Sequence, residues 1–147
     1  MDIYLTGLKI AYSGVSVTLE ITVFAVLIGI VAGLFVALGK MSSFLPVKIL
    51  FSVYVELIRG TPFIVQALIM YFAFPKIPQA MGFDFTWENP VVASIIVCGI
   101  NSSAYVAEII RSGLQAVDRG QMEAARSLGM SRGKAMRFII VPQAFRI

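Results

Sequence analysis

The 147 residues are 59% hydrophobic and only 14% charged, with a net charge of +4. A water-soluble domain is nearer half apolar and a quarter charged, so this composition excludes one and points to an all-α membrane protein. There is no histidine, and the one cysteine, Cys98, lies inside an apolar run as a small hydrophobe. A disulfide framework and a Cys/His zinc site are therefore excluded within the chain, and no catalytic, metal-binding or cofactor-binding residue is expected.

Residues 1–13 form an expected external or interfacial segment, and the first apolar segment runs from about Thr18 to Leu38. From Ile21 to Leu38 it carries no charge, long enough to cross about 30 Å of hydrocarbon as a helix. Ala37-Leu38-Gly39 faintly resembles a signal-peptide cleavage site. A secretory apolar core spans only about 7–15 residues behind a basic start. The run here is longer, and Asp2 and Glu20 accompany a lone Lys9, so an uncleaved transmembrane helix is expected. Ala25, Gly29, Gly33 and Ala37 recur on one face of it. They predict either a tight helix–helix seam or simply the usual small residues of membrane helices.

The second segment, about residues 50–74, is interrupted by Arg59-Gly60-Thr61-Pro62. Proline lacks a backbone donor and disfavours helix at the residue before it, which predicts a kink or break there. Interrupted helices frame substrate sites in many transporters. The competing reading is a membrane-edge turn that starts a helix at Pro62. Phe63–Phe74 is too short to span alone, so the residues before the break must supply part of the crossing. Glu56 and Arg59, three apart, are expected to face each other and fix the helix at the bilayer edge. Residues 75–90 read as an external loop, with three prolines and with Phe83, Phe85 and Trp87 suited to an interfacial belt.

The third segment, about residues 91–111, carries Asn101-Ser102-Ser103 at its centre and Tyr105 and Glu108 further on. Polar groups at bilayer depth need partners and face the bundle interior. Asn101, Ser102 and Tyr105 are thus candidates for lining a polar pathway, or for interhelical hydrogen bonds that hold the bundle. Glu108 and Arg111 repeat the three-residue pairing of Glu56 and Arg59.

Lys40, Lys48 and Arg59 lie between the first two segments, and Arg111, Arg119, Arg126, Arg132, Lys134, Arg137 and Arg146 follow the third. Only Lys9 and Lys76 lie on the opposite side. This bias predicts an external N-terminus and a cytoplasmic loop at about residues 118–142. It accounts for the basic cluster without a nucleic-acid partner or a dedicated anionic-lipid patch. Within the loop, Asp118 and Gln121 predict a capping box, Gly129 a helix stop and Ser131 a second cap. Met122, Ala125 and Leu128 predict a narrow apolar face. So short a helix needs tertiary or partner contacts, in a partner's groove or on the lipid surface.

Glu123-Ala124-Ala125, three residues, Gly129, nine residues, Ile139, one residue and Val141-Pro142 form an ordered pattern. It resembles the cytoplasmic coupling motif of bacterial ABC-importer permeases, with Val141 in the place of the usual leucine. Tyr54-Val55-Glu56-Leu57-Ile58-Arg59-Gly60-Thr61-Pro62-Phe63-Ile64-Val65-Gln66 resembles the second-helix signature of polar amino-acid permeases. Ala104-Tyr105-Val106-Ala107-Glu108-Ile109-Ile110-Arg111 and Gly120-Gln121-Met122-Glu123-Ala124-Ala125 resemble their third helix and coupling segment. The resemblance covers about residues 14–147, read as one transmembrane permease domain. It implies an importer of the bacterial inner membrane with two permease subunits, alike or different, two cytoplasmic ATPases and an external solute-binding protein. Glu123, Ala124, Ala125 and Gly129 would then dock on the ATPase. The chain itself is not expected to be an enzyme, since it has no phosphate-binding Gly-rich loop. The resemblance also implies five transmembrane helices where three are present, so the sequence is expected to be a C-terminally truncated fragment. Two other classes compete: a subunit of an ion-coupled secondary transporter, which needs intramembrane carboxylates, and a membrane interaction protein without a transport role.

Overall fold

The computed structural model describes residues 2–146; Met1 and Ile147, the expected outer ends of the N-terminal segment and the permease domain, lie outside them. All regular structure among the described residues is helical. Three stretches are long and apolar enough to cross a membrane: Tyr4–Lys40, Phe63–Ala80 and Pro90–Ala116.

The first helix, α1, runs unbroken from Asp2 to Lys40. At 1.5 Å per residue its 39 residues extend about 58 Å, well beyond a hydrocarbon core. The residues before Thr18 thus continue the helix. Its serines and threonines fit because their hydroxyls bond back to the preceding turn, as Thr18 Oγ1 does to Gly14 O at 2.9 Å and Thr22 Oγ1 to Thr18 O at 2.7 Å. Helix α2 (Leu45–Gly60) follows a tight turn and opens on Pro46, whose missing N–H costs nothing at a helix start.

Thr61 and Pro62 are extended, and helix resumes as α3, Phe63–Leu68. It passes into a π-helical turn at Ile69–Ala73 and then a short α4, Lys76–Ala80. Phe74, Phe85 and Trp87 cluster over this end with ring centroids 5.2–6.0 Å apart. The long α5 (Pro90–Ala116) starts where the Asn89 side chain accepts a hydrogen bond from Val91 N at 2.9 Å.

The most extensive packing is α1 against α5. The stripe Ala25, Gly29, Gly33 and Ala37 is buried in this seam. A Cβ on Gly29 would stand 2.6 Å from Ser102 Cβ, one on Gly33 2.7 Å from Val106 Cβ, and one on Gly99 2.7 Å from Ile28 Cγ2. Glycine here is a requirement of close backbone approach. Further along, Val36, Ala37, Val55, Ala104 and Ala107 form the buried core where α1, α2 and α5 meet, flanked by Phe51, Tyr54, Ile58 and Ile110.

Beyond α5 lie α6 (Arg119–Ser127), α7 (Arg132–Ala135), a π-helical turn at Met136–Ile140 and α8 (Val141–Ala144). The last of these returns to α5, where the Ala144 carbonyl sits against Gly113.

Candidate functional site

The break in the second segment has a specific construction. In an unbroken helix the Ile58 carbonyl accepts from residue 62, but Pro62 has no N–H. The Gln66 side chain supplies the donor, its Nε2 lying 2.7 Å from Ile58 O and 2.9 Å from Thr61 O. Thr61 Oγ1 bonds back to Leu57 O at 2.7 Å. Gly60 keeps helical geometry, with open space where a Cβ would be; the break belongs to Thr61 and Pro62.

The structure separates the three polar candidates of α5. Asn101 Nδ2 donates to Gln66 Oε1 at 3.2 Å, which ties α5 to the break. Ser102 faces the other way, into the seam beside Gly29. Tyr105, 47% exposed, lies beneath Arg59, whose guanidinium carbon is 5.3 Å from the ring centroid. The expected Glu56–Arg59 pair is a correction: the described ion pairs involve Lys40, Glu108 and Arg111. Arg59, in the last turn of α2, turns onto the α5 aromatic, while Glu56 remains exposed. Beside these, Ser103 is buried and bonds Tyr54 Oη at 2.6 Å and Ile100 O at 2.7 Å.

At the other end of the seam Glu108 pairs with Arg111, as its spacing implies, and also with Lys40 Nζ of α1 at 2.8 Å. One carboxylate thus joins the last turn of α1 to α5. Arg111 Nη1 continues the chain to Gln115 Oε1 at 2.6 Å.

Helix α6 begins with Asp118 Oδ1 accepting from Gly120 N at 2.6 Å. The expected capping box does not form, because the Gln121 side chain accepts from Gln143 Nε2 at 3.3 Å and ties α6 to α8. At the far end Gly129 adopts φ +83°, with Gly129 N bonded to Arg126 O at 3.0 Å and Met130 N to Ala125 O at 3.1 Å. That pair of bonds is a Schellman stop, whose left-handed residue favours glycine. Ala125 is 2% exposed and packs inward, whereas Glu123 and Ala124 face outward. Of the residues expected to share a narrow apolar face, Ala125 is turned inward while Leu128 is 84% exposed. As the C-cap residue of α6 it leaves the helix, and its side chain joins the outward surface.

An apolar groove of about 350 Å³ runs between the ends of α1 and α5 and the α8 segment, with Leu38, Ile110, Leu114, Val141 and Phe145 among its walls. The segment that follows α6 therefore abuts the ends of α1 and α5.

Sequence reading gave Gln66, Tyr54 and Lys40 no contact of their own and placed Ser103 only within the polar centre of α5. Gln66 alone carried a usable signal, as an amide four residues after a proline in an apolar run.

Residues 29–147 match the family described as binding-protein-dependent transport system inner membrane component. The chain is 41% identical over 135 residues to the arginine transport system permease protein ArtQ of Bacillus subtilis strain 168, covering 90% of this chain and 58% of ArtQ. It is 38% identical over 134 residues to the glutamate/aspartate import permease protein GltK of Escherichia coli O6:H1, covering 90% and 60% respectively. Among solved structures, a chain from an amino acid ABC transporter crystallised with histidines superposes with a TM-score of 0.82 at 48% identity, covering 97% of this chain and 64% of that one. This chain thus spans less than two thirds of each of these relatives.

Proposed function

Because the chain belongs to the family of binding-protein-dependent transport system inner membrane components, we propose that it acts as the permease subunit of an ATP-binding-cassette importer for polar amino acids. The similar permeases named for arginine and for glutamate and aspartate supply the substrate class. The observation that carries the mechanism is the division of labour in α6. Ala125 anchors the helix to the chain's own segments, Glu123, Ala124 and Leu128 face outward, and Gly129 turns the chain sharply back. A short capped helix that presents Glu123, Ala124 and the apolar Leu128 outward suits insertion into a partner's groove. The partners in this reading are a cytoplasmic ATPase on α6, a second permease subunit, alike or different, and an external solute-binding protein.

The ten Lys and Arg residues on the α6 side against two on the other favour a cytoplasmic α6 and an external N-terminus in the bacterial inner membrane. The solute pathway in this reading passes Asn101 and Tyr105, beside the break; Ser102 is occupied in the seam. Ion-coupled transport is disfavoured at Glu108, which two cations already engage.

The test uses the full-length permease produced with its ATPase and binding protein. Uptake of labelled arginine, glutamate and histidine is measured together with ATPase co-purification. Glu123→Lys and Gly129→Asp are each expected to abolish uptake and loosen the ATPase while membrane insertion persists. Wild-type uptake and co-purification after either change would overturn the coupling assignment.

A further inference from the structure

The break between α2 and α3 is held by one side chain doing the work of a backbone. Gln66 is 9% exposed, and each of its amide atoms is engaged. Its two close neighbours on one side, Ile58 O and Thr61 O, are carbonyls and accept only, so the NH₂ group must face them. The amide oxygen then faces Asn101 Nδ2 on α5. The orientation of Gln66 is therefore fixed by chemistry, and that orientation in turn fixes Asn101.

We propose that Gln66 is the positioning residue of the broken helix: it replaces the backbone donor that Pro62 lacks and, through Asn101, makes the break and α5 move as one body. A proline break without such a donor leaves two carbonyls unpaired in an apolar setting, so the α2–α3 junction would loosen. A continuous helix would need no clasp, but it would also lose the corner against which Asn101 is set. A side-chain clasp gives both a fixed corner and a joint that shifts when α5 shifts.

Amide hydrogen exchange over Phe63–Leu68, read in the assembled full-length transporter in lipid nanodiscs, tests this without any solute. Gln66→Leu is expected to speed exchange about tenfold or more, the scale of leaving buried acceptors unpaired. Asn101→Ala removes only the tie to α5 and is expected to speed it less. Adding Pro62→Ala to Gln66→Leu restores an N–H for Ile58 O and lifts the steric bias at Thr61, so protection is expected to return. Unchanged exchange in Gln66→Leu, or no recovery in the double variant, would overturn the proposal. Should Gln66→Leu fail to assemble, recovery of assembly in the double variant supports the clasp and continued failure refutes it. The uptake arm alone rests on the import reading: with labelled arginine, Gln66→Leu is expected to lower the maximal rate and leave KM unchanged. A raised KM at an unchanged maximal rate would instead make Gln66 a solute contact and refute the positioning role. Absent uptake by the wild type would count against import while the exchange result stands.

Discussion

At the scale of residues, the recurrent theme is a proline whose missing donor is replaced by a distant side chain. Gln66 does this for Pro62, and Trp87 does it for Pro75. The π-helical turn pairs Phe74 N with Ile69 O at 2.8 Å, which shifts the register by one. Met70 O would then look to residue 75, a proline, and Trp87 Nε1 donates to it instead at 2.9 Å. The loop tryptophan, expected as a membrane-interface anchor, is thereby pinned to the helix beneath it. Glycines sort by the same local logic. Gly29→Ala would place a methyl 2.6 Å from Ser102 Cβ, whereas Gly60→Ala meets nothing within 4 Å. Thermal unfolding in detergent is expected to show Gly29→Ala destabilised by about 1–3 kcal/mol through overpacking. Gly60→Ala is expected to be neutral or more stable by about 0.5–1 kcal/mol. Glu108→Gln removes the negative charge that Lys40 and Arg111 share and leaves one amide oxygen to accept from them. A loss of about 2 kcal/mol is expected, in the range for hydrogen bonds to charged groups. A double-mutant cycle with Lys40→Met should return a non-zero coupling term for the α1–α5 contact.

At the scale of elements, α6 is short enough that its ends decide its stability. Its nine residues are closed by the Asp118 cap and by the left-handed Gly129. Asp118→Ala is expected to cost about 1 kcal/mol of local stability. Gly129→Ala is expected to cost about 1–2 kcal/mol, with Gly129→Asn less affected because asparagine tolerates that backbone region. Exchange rates of the α6 amides would report both. If Gly129→Ala left them unchanged, the turn would not be what ends the helix. The α1 helix shows the converse case. It continues unbroken through residues 4–17, which are exposed along its length, and its Ser and Thr hydroxyls are satisfied by bonds to the preceding turn.

At the scale of the molecule, α6 to α8, the apolar groove and the Lys40–Glu108 pair form a continuous physical path from the outward face of α6 to α1 and α5. Such a path carries motion only where its contacts stay packed. Gly113 lies in the α5–α8 contact, where an added Cβ would lie 3.4 Å from Ala144 O. On the proposed import role, Gly113→Leu is expected to push α8 from α5 and to lower uptake about tenfold or more while hydrolysis by the proposed ATPase partner stays intact, the scale of a coupling term of about 1–3 kcal/mol. Equal loss of both activities would place the effect in assembly instead.

Composition and turn chemistry were enough to establish an all-helical membrane chain, an interruption within Arg59-Gly60-Thr61-Pro62, the Gly129 stop and the Glu108–Arg111 pair. Each of these depends on residues close together in the chain, where steric rules and helical spacing act directly. The second membrane-long stretch, by contrast, is Phe63–Ala80 rather than about residues 50–74. The small-residue stripe of α1 was legible in the sequence, but neither its use as a seam nor its partner was decided there. Only the tertiary structure decided that α5 fills it, that Ser102 lies in the seam while Asn101 meets Gln66, that Arg59 stacks on Tyr105 rather than pairing with Glu56, and that Lys40 reaches Glu108. Those contacts join residues 35 to 73 positions apart (101 − 66 at the short end, 102 − 29 at the long). Their geometry is set by how helices pack, and no local pattern encodes which face of one helix meets another.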